Sequence, residues 1–118
     1  DNLIWVWTRE PNDEAWYPGD EYVDIVGRDI YKEGDHGSQL LEFNSTNALY
    51  GTKKMLALTE VGSIPDVDLL VKDSASWLWF MPWYGDYVRN NKHNSLELWK
   101  KTLQHSKVIT LDEMPSLR

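Results

Sequence analysis

Four short runs, Leu3 to Thr8, Tyr22 to Ile30, Met55 to Glu60 and Trp77 to Trp83, are rich in aliphatic and aromatic residues and alternate poorly between apolar and polar positions. A strand wetted on one face has to alternate, whereas a strand covered on both faces can stay apolar at consecutive positions. The four runs therefore read as strands of a buried parallel sheet. The segments between them carry helical periodicity. Ser38 to Lys54 places Leu40, Leu41 and Leu49 on one helical face, with Gly51 near the helix end. Ile64 to Ser74 offers Val67, Leu70 and Val71 at helical spacing, with Pro65 suited to a first turn. Asn94 or Ser95 can cap Leu96 to His105, whose Leu96, Trp99 and Leu103 make an apolar stripe.

Strands alternating with helices imply right-handed crossovers in an α/β fold. The first crossover departs from the pattern: residues 9–21 contain Pro11, Pro18 and Gly19 among acidic residues, which predicts a loop with one helical turn. Four strands with their helices are half of a (β/α)8 TIM barrel, a fold that takes about 250 residues. The expected architecture for residues 1–118 is half of such a barrel, read as its second half, with no linker or low-complexity stretch dividing it.

Composition narrows the function classes. Seven Trp, six Tyr and 42% hydrophobic residues argue against disorder. A net charge of -7 and the lack of a Lys/Arg cluster argue against a nucleic-acid surface. The chain has no Cys, so it has neither a disulfide framework nor a thiolate zinc site, and no apolar stretch approaches the roughly 20 residues of a membrane span.

Three strands place polar or aromatic groups at their downstream ends: Asp29 and Tyr31 after the second, Glu60 after the third, Trp83 and Tyr84 after the fourth. In a parallel barrel these ends converge on one face. A carboxylate, a phenol and an indole are the parts of a glycosidase site: a nucleophile or base, a group that hydrogen-bonds it, and a platform for a sugar ring. Each part alone also fits a plainer role, Glu60 as a salt-bridge or loop-ordering residue, Tyr31 and Trp83 as rim packing. His36, His93 and His105 lack metal-ligand spacing and read as solvated surface residues. Asn44-Ser45-Thr46 matches a glycosylation sequon but falls inside a predicted helix, and the acidic run from Glu10 to Glu21 reads as a solvated loop rather than a calcium site.

Trp16 to Gly27, then Asp29-Ile30-Tyr31, Leu58-Thr59-Glu60-Val61-Gly62 and Trp79 to Tyr84, with the ending Val108 to Pro115, together resemble glycoside hydrolase family 26, the β-mannanases. The resemblance covers nearly the whole chain. It implies a retaining (β/α)8 hydrolase that cuts internal β-1,4-mannosidic bonds through a covalent glycosyl-enzyme intermediate, without a cofactor or metal. By the same match the four strands are numbers five to eight of the barrel, Glu60 on the seventh strand is the nucleophile, and Tyr31 at the end of the sixth hydrogen-bonds that carboxylate and holds it in line and ionised. Trp83 at the end of the eighth strand forms the floor under the sugar, with Tyr84 and Asp29 as further substrate contacts. Some members carry Arg where this chain has Tyr84, so the more distant sugar contacts do not carry over.

Retention needs a second carboxylic acid about 5 to 5.5 Å from the nucleophile. In this family that acid is a Glu on the fourth strand, which the half-barrel lacks. Two copies closing a barrel would set Trp83 and Tyr84 in its place, with only Asp86 nearby in sequence, so the half alone is expected to be inactive. The expected partners are a β-mannan chain and a complementary N-terminal half-barrel, with no nucleic acid or membrane span, in a secreted or cell-surface setting that suits a polymeric substrate. Two other readings stand beside this one. Related enzymes of the same fold attack mixed-linkage β-glucan or β-1,3-xylan, and a non-catalytic carbohydrate-binding module would also use many aromatic residues.

Overall fold

A computed structural model describes residues 2–116; Asp1, Leu117 and Arg118 of the expected 1–118 unit lie outside the described residues. Four strands, β1 (Val6–Arg9), β2 (Ile25–Ile30), β3 (Met55–Val61) and β4 (Phe80–Pro82), form one sheet in the order β1-β2-β3-β4, and every pairing is parallel. Four α-helices, α1 (Leu40–Tyr50), α2 (Val67–Asp73), α3 (Asp86–Arg89) and α4 (Leu96–Leu103), follow the second, third and fourth strands. The α/β class and the parallel sheet are thus as expected, and they differ from the antiparallel sandwich typical of binding modules. The helical turn expected between the first two strands is the 3-10 segment Glu14–Trp16.

β1, β2 and β4 are shorter than the apolar runs that encode them, for local reasons, whereas β3 runs one residue further than expected, to Val61. Trp5 is bridged to Asp24 before the ladder begins, its N–H donating to the Asp24 carboxylate at 2.7 Å and its carbonyl accepting from the Asp24 N–H at 2.9 Å. Tyr22 closes a turn onto the Gly19 carbonyl, with Gly19 at φ 115°, so β2 starts at Ile25. Trp77 leaves the strand direction to bury its ring in the core, where its indole N–H donates to the Ser38 carbonyl at 3.0 Å.

One face of the sheet carries the core. Val26 and Ile30 of β2 and Leu56, Leu58 and Val61 of β3 pack with Ile64, Ala75, Trp77 and Tyr50. On the other face Val6, Thr8, Met55 and Met81 are exposed. The apolar stripes expected on the helices are only partly the buried ones. On α1 the leucines 40, 41 and 49 are exposed, and Phe43, Thr46 and Tyr50 face the sheet instead. The aromatic rings decide this orientation: Phe43 meets Trp77 edge-on at 5.0 Å, and Tyr50 packs against Tyr17 at 4.9 Å and Trp7 at 5.8 Å. On α4, Leu98 and Trp99 pack on the core and Thr102 is buried, while Leu96 and Leu103 are exposed. The sequon lies within α1, with Thr46 fully buried.

Helix starts also shift. Gln39 takes a left-handed conformation, φ 56°, so α1 begins at Leu40 rather than Ser38. Asp66 caps α2, accepting the Asp68 N–H at 2.9 Å, which puts Pro65 before the cap rather than in the first turn. The acidic stretch after β1 is largely neutralised by ion pairs. The buried Arg9 meets Asp13 at 3.6 Å and Glu14 at 3.1 Å, and the buried Arg28 donates to the Arg9 carbonyl at 2.7 Å.

Tyr17 anchors the same loop. Its hydroxyl donates to Asp20 at 3.0 Å, and burial, followed by that hydrogen bond to a carboxylate, pushes the phenol from 10.0 up to about 12. A phenol kept neutral by the fold stabilises it fully below the unfolded pKa, and the contribution is lost as pH rises from 10.0 to about 12. In urea unfolding of the protein, the midpoint should fall between these pH values, and Tyr17→Phe should flatten that fall; an unaltered slope would refute the assignment.

A candidate active site at the strand ends

Parallel pairing brings the downstream ends of β2, β3 and β4 to one edge of the sheet, and with them Asp29, Tyr31, Glu60 and Trp83. The closest contact among them is the one expected: the Tyr31 hydroxyl donates to Glu60 Oε2 at 2.7 Å. Burial of the ring raises the Tyr31 phenol well above its ordinary value, and the hydrogen bond to Glu60 and the charges of Glu60 and Asp29 act in the same direction. Tyr31 is therefore a protonated donor throughout the neutral range. It stays 47% exposed, so the pair is open to a ligand.

The backbone of β3 sets where Glu60 lies. In its register with β2, Arg28 pairs with Leu58 and Asp29 with Glu60, so Thr59 has no partner. Against β4, Leu58 pairs with Phe80 and Val61 with Pro82, three steps against two. Both ladders locate one extra residue in β3, a β-bulge. Leu58 and Val61 both belong to the core, leaving Thr59 and Glu60 as two consecutive residues outside it. Thr59 accepts from the Thr8 hydroxyl at 3.2 Å and donates to Asp29 Oδ1 at 2.8 Å. Asp29, expected as a substrate contact, thus has one oxygen engaged inside the protein.

Trp83 continues the β3–β4 ladder, its N–H donating to the carbonyl of Val61, the residue after Glu60, at 3.0 Å. Its ring is 37% exposed and lies against Tyr84 at 5.2 Å with the planes inclined by 58°. Two exposed rings at the downstream end of β4, the strand next to that of Glu60, offer a surface for the CH face of a sugar. Asp86, two residues after Tyr84, is engaged with Asn90 at 3.1 Å and Lys92 at 3.6 Å.

Tyr87 and Asn94 complete the support of Tyr31, and sequence reading did not assign either to the site. Tyr87 meets Tyr31 edge-on at 5.7 Å, and both rings come so near Gly62 that a Cβ there would lie 3.0 and 3.1 Å from them. Asn94, fully buried, donates to the carbonyls of Gly62 at 2.8 Å and Tyr87 at 2.9 Å and accepts from the Ile64 N–H at 2.7 Å. It staples the loop after β3 to the first turn of α3, while Ser95 caps α4, accepting from Leu98 N–H at 3.1 Å. A polar residue before a helix reads as a cap, and nothing local distinguishes a staple between loops.

The histidines are not the solvated surface groups expected. His36 Nδ1 lies 2.7 Å from the Ile64 carbonyl, and His105 Nε2 lies 3.2 Å from Asp68. The His93 side chain, only 10% exposed, packs on Tyr87 at 4.4 Å and lies 3.6 Å from Glu33. With Tyr31, Glu33, Gly62 and Tyr87 it lines a cavity of about 170 Å³. Among the described residues no three His, Cys, Asp or Glu side chains gather as metal ligands, and no helix is long and apolar enough to cross a membrane.

Residues 1–113 match the family model described as glycosyl hydrolase family 26. A mannan endo-1,4-β-mannosidase of Thermothelomyces thermophilus is 42% identical over 113 residues, 96% of this chain and 23% of that protein. Among solved structures, the GH26-CBM35 β-(1,4)-mannanase of Podospora anserina superposes with a TM-score of 0.87 at 42% identity, over 96% of this chain and 25% of its own. The β-mannanase from a symbiotic protist of the termite Reticulitermes speratus, solved with a gluco-manno-oligosaccharide, gives 0.84 at 47% identity, over 97% of this chain and 36% of its own. The chain therefore spans less than a quarter of the curated relative's length.

Asn94→Asp keeps the acceptor for Ile64 N–H but replaces the NH2 group, which donates to two carbonyls, with one oxygen facing both. It should cost about 2–4 kcal/mol of stability, the order expected for buried backbone groups left unpaired. Thermal unfolding at the wild-type midpoint would contradict the staple.

Proposed function

This chain belongs to glycosyl hydrolase family 26, and on that premise we propose that it is the C-terminal half of a (β/α)8 mannanase domain, supplying the nucleophile side of a retaining endo-β-1,4-mannanase site. The observation that carries the reading is the 2.7 Å hydrogen bond from Tyr31 to Glu60 at the downstream edge of a parallel sheet. A phenol that stays protonated holds one carboxylate oxygen and leaves the other for attack.

In this mechanism a Glu60 oxygen attacks the anomeric carbon of a mannosyl unit seated on Trp83. The bond to the aglycone oxygen breaks, and that oxygen takes a proton from a carboxylic acid about 5 to 5.5 Å away. The acid belongs to the remainder of the polypeptide. Its conjugate base then removes a proton from water, which displaces Glu60 and releases the sugar with retained configuration. Both steps run on carboxyl groups and water, with no cofactor. Tyr84 extends the aromatic floor, and Asp29 acts at the rim of the site. A secreted or cell-surface location accompanies the reading, because polymeric mannan is too large to enter a cell intact.

In the full-length polypeptide, Glu60→Ala should lower turnover of soluble mannan by on the order of 10³-fold or more while binding of manno-oligosaccharide, read by calorimetry, persists. Retained turnover would defeat the assignment. Assays on galactomannan, mixed-linkage β-glucan and β-1,3-xylan set the substrate: preference for either of the last two would keep the mechanism and reject mannan.

A further inference from the structure

We propose that Thr59 is a positioning residue for Glu60: its side chain, seated over Gly27 and hydrogen-bonded between Thr8 and Asp29, fixes the bulge that turns Glu60 toward Tyr31. The inference rests on the reading of Glu60 as nucleophile and adds to it the device that aims the carboxylate.

Three independent features meet at Thr59. It is the residue that the ladder with β2 passes over, and with Glu60 it is one of the two that the ladder with β4 leaves unpaired between Leu58 and Val61. A bulge left to itself can shift by a residue along the strand, because the ladder resumes equally well on either side, and such a slip would exchange the faces of the side chains it passes. What holds it here is shape first. A Cβ on Gly27 would lie 2.4 Å from Thr59 Cγ2 and 2.5 Å from Oγ1, so the Thr59 side chain occupies the space that a residue larger than glycine would need on β2. The second restraint is polar. The Thr59 hydroxyl accepts from Thr8 on β1 at 3.2 Å and donates to Asp29 on β2 at 2.8 Å, spanning two neighbouring strands. Asp29 is also the register partner of Glu60, so the strand that restrains the bulge is the strand that carries Tyr31 just beyond it. Asp29 thereby acts through Thr59 as a positioning group.

A displaced nucleophile slows the chemical step more than it weakens binding, because the reacting oxygen must lie in line with the bond it breaks. Thr59→Val keeps the volume over Gly27 and removes the hydroxyl; Thr59→Ser keeps the hydroxyl. In the full-length enzyme, Thr59→Val should lower kcat on mannan by on the order of tenfold to hundredfold with KM within about twofold, and Thr59→Ser should recover most of that loss. The same order should appear in the rate at which 2-deoxy-2-fluoro-β-mannosyl fluoride, whose fluoride is displaced by the nucleophile's oxygen, labels the enzyme. Wild-type kcat in Thr59→Val, or a Thr59→Ser as slow as Thr59→Val, would overturn the proposal. If Thr59→Val fails to fold, Thr8→Val removes the outer donor alone: a kcat loss of about threefold or more at unchanged KM supports the proposal, and wild-type kcat rejects it. Peptide mapping of the label separates the two levels of inference. A label outside Glu60 would sink the nucleophile reading itself, whereas a label on Glu60 acquired at wild-type rate by Thr59→Val would sink only the role of Thr59.

Discussion

A strand inside a parallel sheet must satisfy its backbone groups on two sides at once, and β3 does so while carrying one residue more than its neighbours between Leu58 and Val61. The geometry of the strand-end site depends on how that surplus is absorbed. Leu58 and Val61 both return to the core, so the alternation of the strand is broken once, and Thr59 and Glu60 remain outside it together. A regular strand would have sent them to opposite faces. The extra residue thus places a carboxylate beside Tyr31 without disturbing the apolar packing below it, and Gly27 on the adjacent strand provides the room.

Packing on the opposite face follows the largest side chains rather than the most numerous. An aromatic ring in contact with other rings buries more area than a leucine at the margin, so α1 turns Phe43 and Tyr50 inward and leaves three leucines out. The rings of Trp7, Tyr17 and Tyr50 then form one cluster that ties β1, the loop after it and α1 together, with the Arg9 guanidinium 5.9 Å above Tyr50. This cluster lies under β1 and β2. A second aromatic set, Tyr31, Tyr87 and His93, lies above Gly62 and supports the site from the loops. The molecule uses its aromatic residues twice, once as core and once as a brace.

The strand order, the parallel pairing and the placing of Tyr31 next to Glu60 were legible in the sequence, because each rests on a pattern that survives local detail: apolar runs, intervening helical periods, and polar residues at run ends. What could not be read has a common cause. The leucines of α1 match a helical stripe as well as Phe43, Thr46 and Tyr50 do, and only the neighbouring strands decide between them. The bulge at Thr59 leaves no mark in a one-dimensional pattern, since Leu58-Thr59-Glu60-Val61 differs from a regular strand only in its register with β2 and β4. Asn94 looks like a cap from its position before a helix, and its role as a staple depends on loops 30 residues or more away, at Gly62 and Ile64. His93 carries no metal spacing, which was legible, but its burial against Tyr87 was not.

A parallel sheet is stable when both of its faces are covered, and here the second is covered only in part, with Ile25 and Ala57 buried on it. Val6, Thr8, Met55 and Met81 are exposed on that face, and among the described strands β1 and β4 are each paired on one side only. The same partly covered face also carries the Thr8 hydroxyl that begins the relay to Thr59 and Asp29. On the proposed reading, the remaining strands of a barrel would close over this surface and at the same time bring the second carboxylic acid to Glu60. Water would then be excluded from the relay, and its hydrogen bonds would act in a less polar setting, where each is stronger and an unpaired partner costs more. Completing the fold and completing the site would be one physical event, because the surface that needs covering and the groups that aim the nucleophile are the same.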